Sequence, residues 1–377
     1  MKFEINRTHL LNGLSDVMKA ISHKVTLPIL TGIKIELDEQ GVTMTGSDSD
    51  ITICSFIPTE EDGELIIETF EKGSIVVQAR YFSDIVRKLP TETVLLEVIN
   101  EQDVIIRSGR SEFKLIGSKA DEYPILPNME KDIQFTIATP LLKSIIRETG
   151  FAVSTQETRP VLTGVNWVKK EDALYCIATD SHRLARRITA LDDLPEGEFQ
   201  AVIPGKSLQE LNKIIDKEES VDILFTEQQV LFKTERILFY SRLLEGTYPD
   251  TTRLIPTEYQ TSIVLKSKEF LQAIDRASLL ARDERNNIVR LVTTDQSTVE
   301  LTSNSPEVGK VEEIVAATSI KGEALQISFS AKYMMDALRA IESEEIVIHF
   351  TGVMRPFILK AVDSEAVLQL ILPVRTY

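Results

Sequence analysis

The sequence predicts an α+β protein of three similar domains per chain, each made of two strand–helix–strands units. Three observations predict this class. Apolar and basic positions recur at a fixed interval of 126 residues. The segments carrying them have one apolar face at helical spacing. Between them lie stretches of alternating apolar and polar residues, the mark of half-buried antiparallel strands.

The first unit of each repeat opens with a short apolar strand and continues as an amphipathic helix. The three copies are FEINRTHLLNGLSDVMKAIS (Phe3–Ser22), FTIATPLLKSIIRETGFAVS (Phe135–Ser154) and IVLKSKEFLQAIDRASLLAR (Ile263–Arg282). Leu10, Leu11 and Leu14 correspond to Leu141, Leu142 and Ile145, and to Phe270, Leu271 and Ile274. The second unit gives IVVQARYFSDIVRKLP, AVIPGKSLQELNKIID and QISFSAKYMMDALRAIE. Phe82, Leu208 and Met334 stand 126 residues apart, as do Ile85, Leu211 and Ala337, and Leu89, Ile215 and Ile341. Apolar positions at i, i+3 and i+7 predict a buried stripe. TGIKIELDEQGVTMTGSDSDITICSF and VLLEVINEQDVIIRSGRSEFKLIG alternate and are broken by Gly, Asp and Asn turns, so they read as antiparallel strands. Proline-punctuated segments, YPILP at Tyr123–Pro127 and YPDTTRLIP at Tyr248–Pro256, divide the repeats. The expected domains are residues 1–127, 128–252 and 253–377.

The chain has 377 residues, 43% of them hydrophobic and 27% charged, an ordinary globular balance. No apolar run approaches the ~20 residues that span a bilayer. The first residues, MKFEINRTHL, lack the basic-then-apolar layout of a signal peptide, so a cytoplasmic protein is expected. Cys54 and Cys176 have no metal or redox spacing and read as small buried residues. The net charge of −16 argues against a uniformly basic nucleic-acid domain, but it does not say where the cations lie. Arg80, Lys206 and Lys332 recur at 126 residues, as do Arg87, Lys213 and Arg339. Within each copy the two cations are seven apart, two helical turns, and share a face. Scattered solvated charges have no reason to follow the repeat, whereas charges facing a common polyanion do.

Side-chain chemistry concentrates in IATDSHRLARR (Ile177–Arg187). A Ser–His–Asp triad is the weaker reading there, because Asp180, Ser181 and His182 are consecutive and no nucleophile elbow surrounds them. A hydrolase centred on Asp180–His182 and a peptide-binding scaffold with no nucleic-acid role are the alternatives. His9, His23 and His349 lack metal-ligand spacing, and no phosphate-binding loop is present. The expectation is a non-enzymatic chain with no catalytic residues, no metal and no cofactor. The stretch corresponds to GSDSDITI in the first repeat and TSNSPEVGKVEEI in the third, so it is a repeat turn elaborated with His182 and Arg183 in the middle copy.

TLPIL (Thr26–Leu30), RSGRS (Arg107–Ser111), ATDSHRLA, EGTYPD (Glu245–Asp250) and LPVR (Leu372–Arg375) together resemble the bacterial DNA polymerase III beta subunit family. The resemblance spans essentially the whole chain. It implies a head-to-tail homodimer forming a closed ring of six domains, helices inside and antiparallel sheets outside. Such a ring encircles duplex DNA without sequence specificity and is opened by an external loader. Lys24, Arg80, Arg87, Gln156, Lys206, Lys213, Lys332 and Arg339 are implied to face DNA, with the Pro160–Val161 loop nearby. A hydrophobic pocket between the second and third domains is implied to bind short peptides of the replicative polymerase, clamp loader and repair proteins. Its implied residues are Leu162, Thr179, His182, Arg183, Leu184, Pro249, Arg253, Leu254, Met354, Pro356, Leu372, Pro373, Val374 and Arg375. For the dimer contact the resemblance points to Phe113 and Leu115 against Leu279 and Leu280, with Arg107 and Arg110 facing Glu307, Glu312 or Glu313.

Overall fold

The computed structural model describes every residue except 23–26, 127–128, 130–132, 192–193, 217, 281–286, 306–307 and 376–377. Six α-helices occur among the described residues: α1 (Arg7–Val17), α2 (Ala79–Lys88), α3 (Thr139–Thr149), α4 (Gly205–Leu211), α5 (Ser267–Ala277) and α6 (Ala331–Ala340). α2, α4 and α6 begin 126 residues apart, in the register of the sequence repeat. α1, α3 and α5 each run into a single 3-10 turn, at Met18–Ala20, Gly150–Ala152 and Ser278–Leu280. The Asn6 side chain caps α1 by accepting from the backbone N–H of Thr8 and His9, which meets two donors the helix cannot satisfy itself.

The chain gathers into two compact units, one of Met1–Pro140 with Gln209–Leu243 and one of Leu141–Leu208 with Leu244–Tyr377. In the first, a five-stranded sheet runs in the order Ser111–Ile116, Asp103–Ser108, Thr93–Ile99, Lys2–Asn6, Ile67–Glu71. An eight-stranded sheet runs Ile133–Ala138, Ser220–Phe225, Gln229–Lys233, Ile237–Arg242, Ile51–Pro58, Gly41–Ser47, Gly32–Leu37, Gly73–Gln78. α1 and α2 pack together here, burying Phe3, Leu10, Leu14, Phe82 and Val86. A Cβ on Gly46 would meet the Val17 carbonyl oxygen at 2.6 Å, so the end of α1 seats on its strand only over a glycine.

The second unit holds a nine-stranded sheet: Phe199–Pro204, Gly164–Lys170, Ala173–Thr179, Arg183–Ala190, Val367–Ile371, Phe357–Ala361, Glu345–Phe350, Thr261–Lys266, Ser319–Gly322. A four-stranded sheet runs Gly309–Ala316, Thr298–Ser305, Ile288–Thr293, Gln326–Ser330. α5 and α6 pack in its core, where Phe270, Ile274, Met334, Ala337 and Ile341 are buried with Phe329 and Phe357. No helix among the described residues is long and apolar enough to cross a membrane.

The middle repeat contributes to both units because its strands hydrogen-bond to strands of both neighbours. Ile237–Arg242 pairs with Ile51–Pro58, and Arg183–Ala190 pairs with Val367–Ile371. Two expectations need correcting. Ile85 is only half-buried, because Val86 takes the inward position beside Phe82. α4 ends at Leu211, so Lys213 lies in the turn beyond it and does not share a helical face with Lys206.

Candidate functional site

The turn after Ala173–Thr179 is built by its own polar side chains. Asp180 Oδ1 accepts from the backbone N–H of His182 (2.9 Å) and of Arg183 (3.0 Å). The hydroxyl of Thr179 donates to the Arg183 carbonyl (2.6 Å) and accepts from the Ser181 N–H (3.2 Å). Ser181 sits in the left-handed region with φ 76°, a conformation these hydrogen bonds stabilise. Asp180 spends its carboxylate on backbone amides and on Arg183 Nε (3.0 Å), so nothing here orients the His182 ring as a base.

Beside this turn lie two apolar clusters. Leu184, Ile358, Leu368 and Leu370 are buried together, with Ile177, Ile255 and Leu372 packed against them. Leu162, Val202 and Tyr248 are buried together, with Val161, Ile177 and Leu244 against them. Ile177 touches both clusters and joins them into one apolar floor. The Leu372 N–H donates to the His182 carbonyl (2.9 Å), which fixes the C-terminal segment to the turn. Around this floor His182, Pro249, Arg253 and Arg375 are exposed, Leu254 is 50% exposed and Met354 49%. Pro356, Pro373 and Val374 are half-buried.

The sequence-predicted pocket residues therefore divide. Leu162, Leu184 and Leu372 form the floor, Thr179 is buried and turned inward, and Arg183 departs from expectation. Its side chain is 9% exposed, and all three guanidinium nitrogens are engaged inside the protein. Its guanidinium is turned into the protein rather than toward solvent. Ile177, Val202, Tyr248, Ile255, Ile358, Leu368 and Leu370 were missed, although Tyr248 stood in EGTYPD as the counterpart of Tyr123 in YPILP.

The first unit contains the same turn without the continuous floor. Asp48 caps the N–H of Asp50 (3.0 Å) and Ile51 (2.8 Å), Ser49 has φ 82°, and the Arg242 N–H donates to the Asp50 carbonyl (2.9 Å). Leu30, Val76 and Tyr123 cluster with Ile29, as Leu162, Val202 and Tyr248 do with Val161. Thr45, Thr52 and Arg242, however, stand where the second unit has Ile177, Leu184 and Leu372. With polar residues at those three places, Leu231, Leu238 and Tyr240, which stand where the second unit has Ile358, Leu368 and Leu370, cluster with Cys54 and Leu224 instead of joining the first cluster into one floor. The repeat is structural, and the continuous apolar floor is a specialisation of its second junction.

The repeated cations are exposed: Arg80 and Arg87 on α2, Lys206 on α4, Lys332 and Arg339 on α6, and Lys213 after α4. Lys213 is paired with Glu210 at 2.8 Å and Arg339 with Asp336 at 3.8 Å. Gln156 is exposed, its N–H donating to Ser154 Oγ at 3.0 Å. Lys24 lies outside the described residues.

Ser111–Ile116 and Gly309–Ala316 are edge strands of their sheets. Phe113 is 38% exposed and Leu279 54%, while Leu115 and Leu280 are half-buried and Arg110 is exposed. Ile116 (76%) and Ile314 (74%) are more exposed than any of these and were not foreseen. The residues expected to pair across the contact have neighbours within the chain. Arg107 is held by Glu112 (2.7 Å) and Glu97 (3.0 Å), neighbours across the strands, and Glu313 by Arg276 in a two-point contact (2.8 and 2.9 Å). Glu312 is paired with Lys310, and Glu307 lies outside the described residues.

Nearly all of the chain matches one family in three successive parts: the DNA polymerase III beta subunit N-terminal domain over residues 1–127, its central domain over 136–250 and its C-terminal domain over 252–375. The chain belongs to the DNA polymerase III beta subunit family. It is 56% identical over 378 residues to the beta sliding clamp of Bacillus subtilis (strain 168), covering all of both chains. The crystal structure of the DNA polymerase sliding clamp from Bacillus subtilis superposes with a TM-score of 0.97 over the full length of both chains. A sliding clamp from Pseudomonas aeruginosa bound to griselimycin, 26% identical, superposes with a TM-score of 0.92, again over both full lengths.

Proposed function

We infer that this chain acts in the cytoplasm as a DNA sliding clamp, a processivity factor rather than an enzyme, organised as domains 1–127, 128–252 and 253–377. The single observation that carries this reading is the match of all three beta-subunit domains, in order, along the chain. Two copies associate head to tail into a closed ring. The edge strand Ser111–Ile116 of one copy adds to Gly309–Ala316 of the other, covering Phe113, Ile116 and Ile314. Duplex DNA passes through the ring, facing Lys24, Arg80, Arg87, Gln156, Lys206, Lys213, Lys332 and Arg339. Cations on flexible stems attract phosphates through counterion release and read no base edges, so no register on the duplex is preferred and sliding costs little. Retention comes from enclosure.

The groove floored by Leu162, Ile177, Leu184, Tyr248 and Leu372 accepts short extended peptides of the polymerase, clamp loader and repair proteins. A few buried apolar anchors supply most of the affinity of such a contact. Griselimycin, which a relative binds, serves as the probe, and its competition with a short polymerase peptide tests whether it occupies this groove. The test of the whole reading is retention on DNA. Protein loaded on a nicked circular plasmid should stay through gel filtration and be released once the circle is cut to give free ends. Persistence on the linear product would overturn enclosure.

A further inference from the structure

We propose that Arg183 is a positioning residue that fastens the groove turn to α6, so that Asp336 on that helix sets the affinity of the groove for its peptide. The proposal rests on the peptide-binding reading of the groove. Arg183 Nε donates to Asp180 Oδ2 (3.0 Å), Nη1 to Asp336 Oδ2 (2.7 Å) and Nη2 to the Phe151 carbonyl (2.6 Å). The guanidinium carbon lies 4.5 Å from the ring centroid of Tyr333 and 5.2 Å from that of Phe151. A planar fork with three fixed acceptors and two aromatic neighbours has one orientation open to it. Its neighbours in sequence are the exposed His182 and the floor residue Leu184, so the same anchor fixes both.

The first unit is the internal control. Its turn has the same capping aspartate, the same left-handed serine and the same carbonyl contact, with Ile51 at the position of Arg183. The turn therefore forms without an arginine. What the arginine adds is attachment to α6, which also carries Lys332 and Arg339, and whose Asp336 lies 3.8 Å from Arg339. Lysine in its place would keep the charge but could neither reach three divergent acceptors nor stack as a plane.

Asp336→Asn and Arg183→Lys are to be compared with the wild type as full-length protein, using griselimycin titration and amide hydrogen exchange without ligand. Asp336→Asn should weaken griselimycin binding by roughly 2- to 30-fold, the span of coupling carried by a packed side-chain network. The loss in the double variant should be smaller than the product of the single losses, because both substitutions break one link. The His182 and Arg183 amides should exchange faster in Asp336→Asn, while the Asp50 and Ile51 amides of the equivalent turn stay unchanged. That contrast separates loss of positioning from general destabilisation. Wild-type affinity and unaltered His182 exchange in Asp336→Asn would overturn the proposal. Failure of the wild type to bind griselimycin would reject the groove reading instead, and with it the peptide half of the proposal. Exchange at His182 would still decide whether Asp336 holds the turn.

Discussion

His349, the cross-strand partner of the floor residue Ile358, shows how one side chain can make the fold sensitive to acid. Its Nδ1 lies 2.8 Å from Ser262 Oγ, and its ring stacks on Tyr259 with centroids 4.3 Å apart. Burial, reinforced by the nearby Lys360 ammonium, holds it below the ordinary 6.5, against a smaller opposing influence of Glu365. With the folded value below the unfolded one, the unfolded chain binds the proton first. The contribution of neutral His349 is therefore present above about pH 6.5 and is lost as pH falls from there through the folded value. His349→Gln should narrow the difference in melting temperature between pH 7.5 and 5.5 relative to wild type, and an unchanged difference would reject this account. At the groove, Met354 is 49% exposed, so Met354→Ala should alter stability by no more than about 0.5 kcal/mol. It should nevertheless weaken griselimycin binding by about 1 kcal/mol, read by calorimetry. Residue identity alone made Leu162 and Leu184 legible only as apolar residues for burial, and it was the resemblance that assigned them to a pocket. Residue identity could not show that Arg183 is consumed by Asp336, because that contact joins positions 153 residues apart.

Elements were read best where one face must be apolar. α2, α4 and α6 start in register because the stripe led by Phe82, Leu208 and Met334 has to face the core. The cations that follow the same repeat fall outside it, and they were found for that reason. Edge strands were read least well, since their partners are not in the chain's own pattern. Phe113 and Leu115 were visible as alternation, but the more exposed Ile116 and Ile314 are apolar residues at strand positions that a sequence would assign to any core. Both strands carry unpaired backbone donors and acceptors along one side, which invites addition of another strand. Ile314→Asp places a charge in the middle of that edge without touching the Arg276–Glu313 pair. It should shift the mass measured by light scattering from two chains toward one at micromolar concentration, with the melting transition of each chain retained. A variant that stays fully dimeric would exclude this edge as the contact.

At the scale of the molecule the puzzle is charge: −16 overall, on a chain meant to hold a polyanion. Two mechanisms could hold the duplex, and they respond differently to salt and to substitution. Adhesion depends on the number of phosphates neutralised, and the logarithm of the binding constant falls with the logarithm of salt by about 0.9 per contact. Enclosure depends only on the ring staying shut. The glutamine triple variant Arg80→Gln, Lys206→Gln, Lys332→Gln separates them, since it removes one cation from each repeat without altering the buried stripe or the edge strands. If enclosure holds the DNA, the variant should remain on covalently closed circles as long as wild type. It should diffuse faster along the duplex and depend less on salt in its rate of loading. If adhesion holds it, the variant should leave closed circles and linear DNA at the same, faster rate. An acidic exterior fits the first case, because repulsion outside the ring removes the unproductive side-on binding that a uniformly basic chain would show.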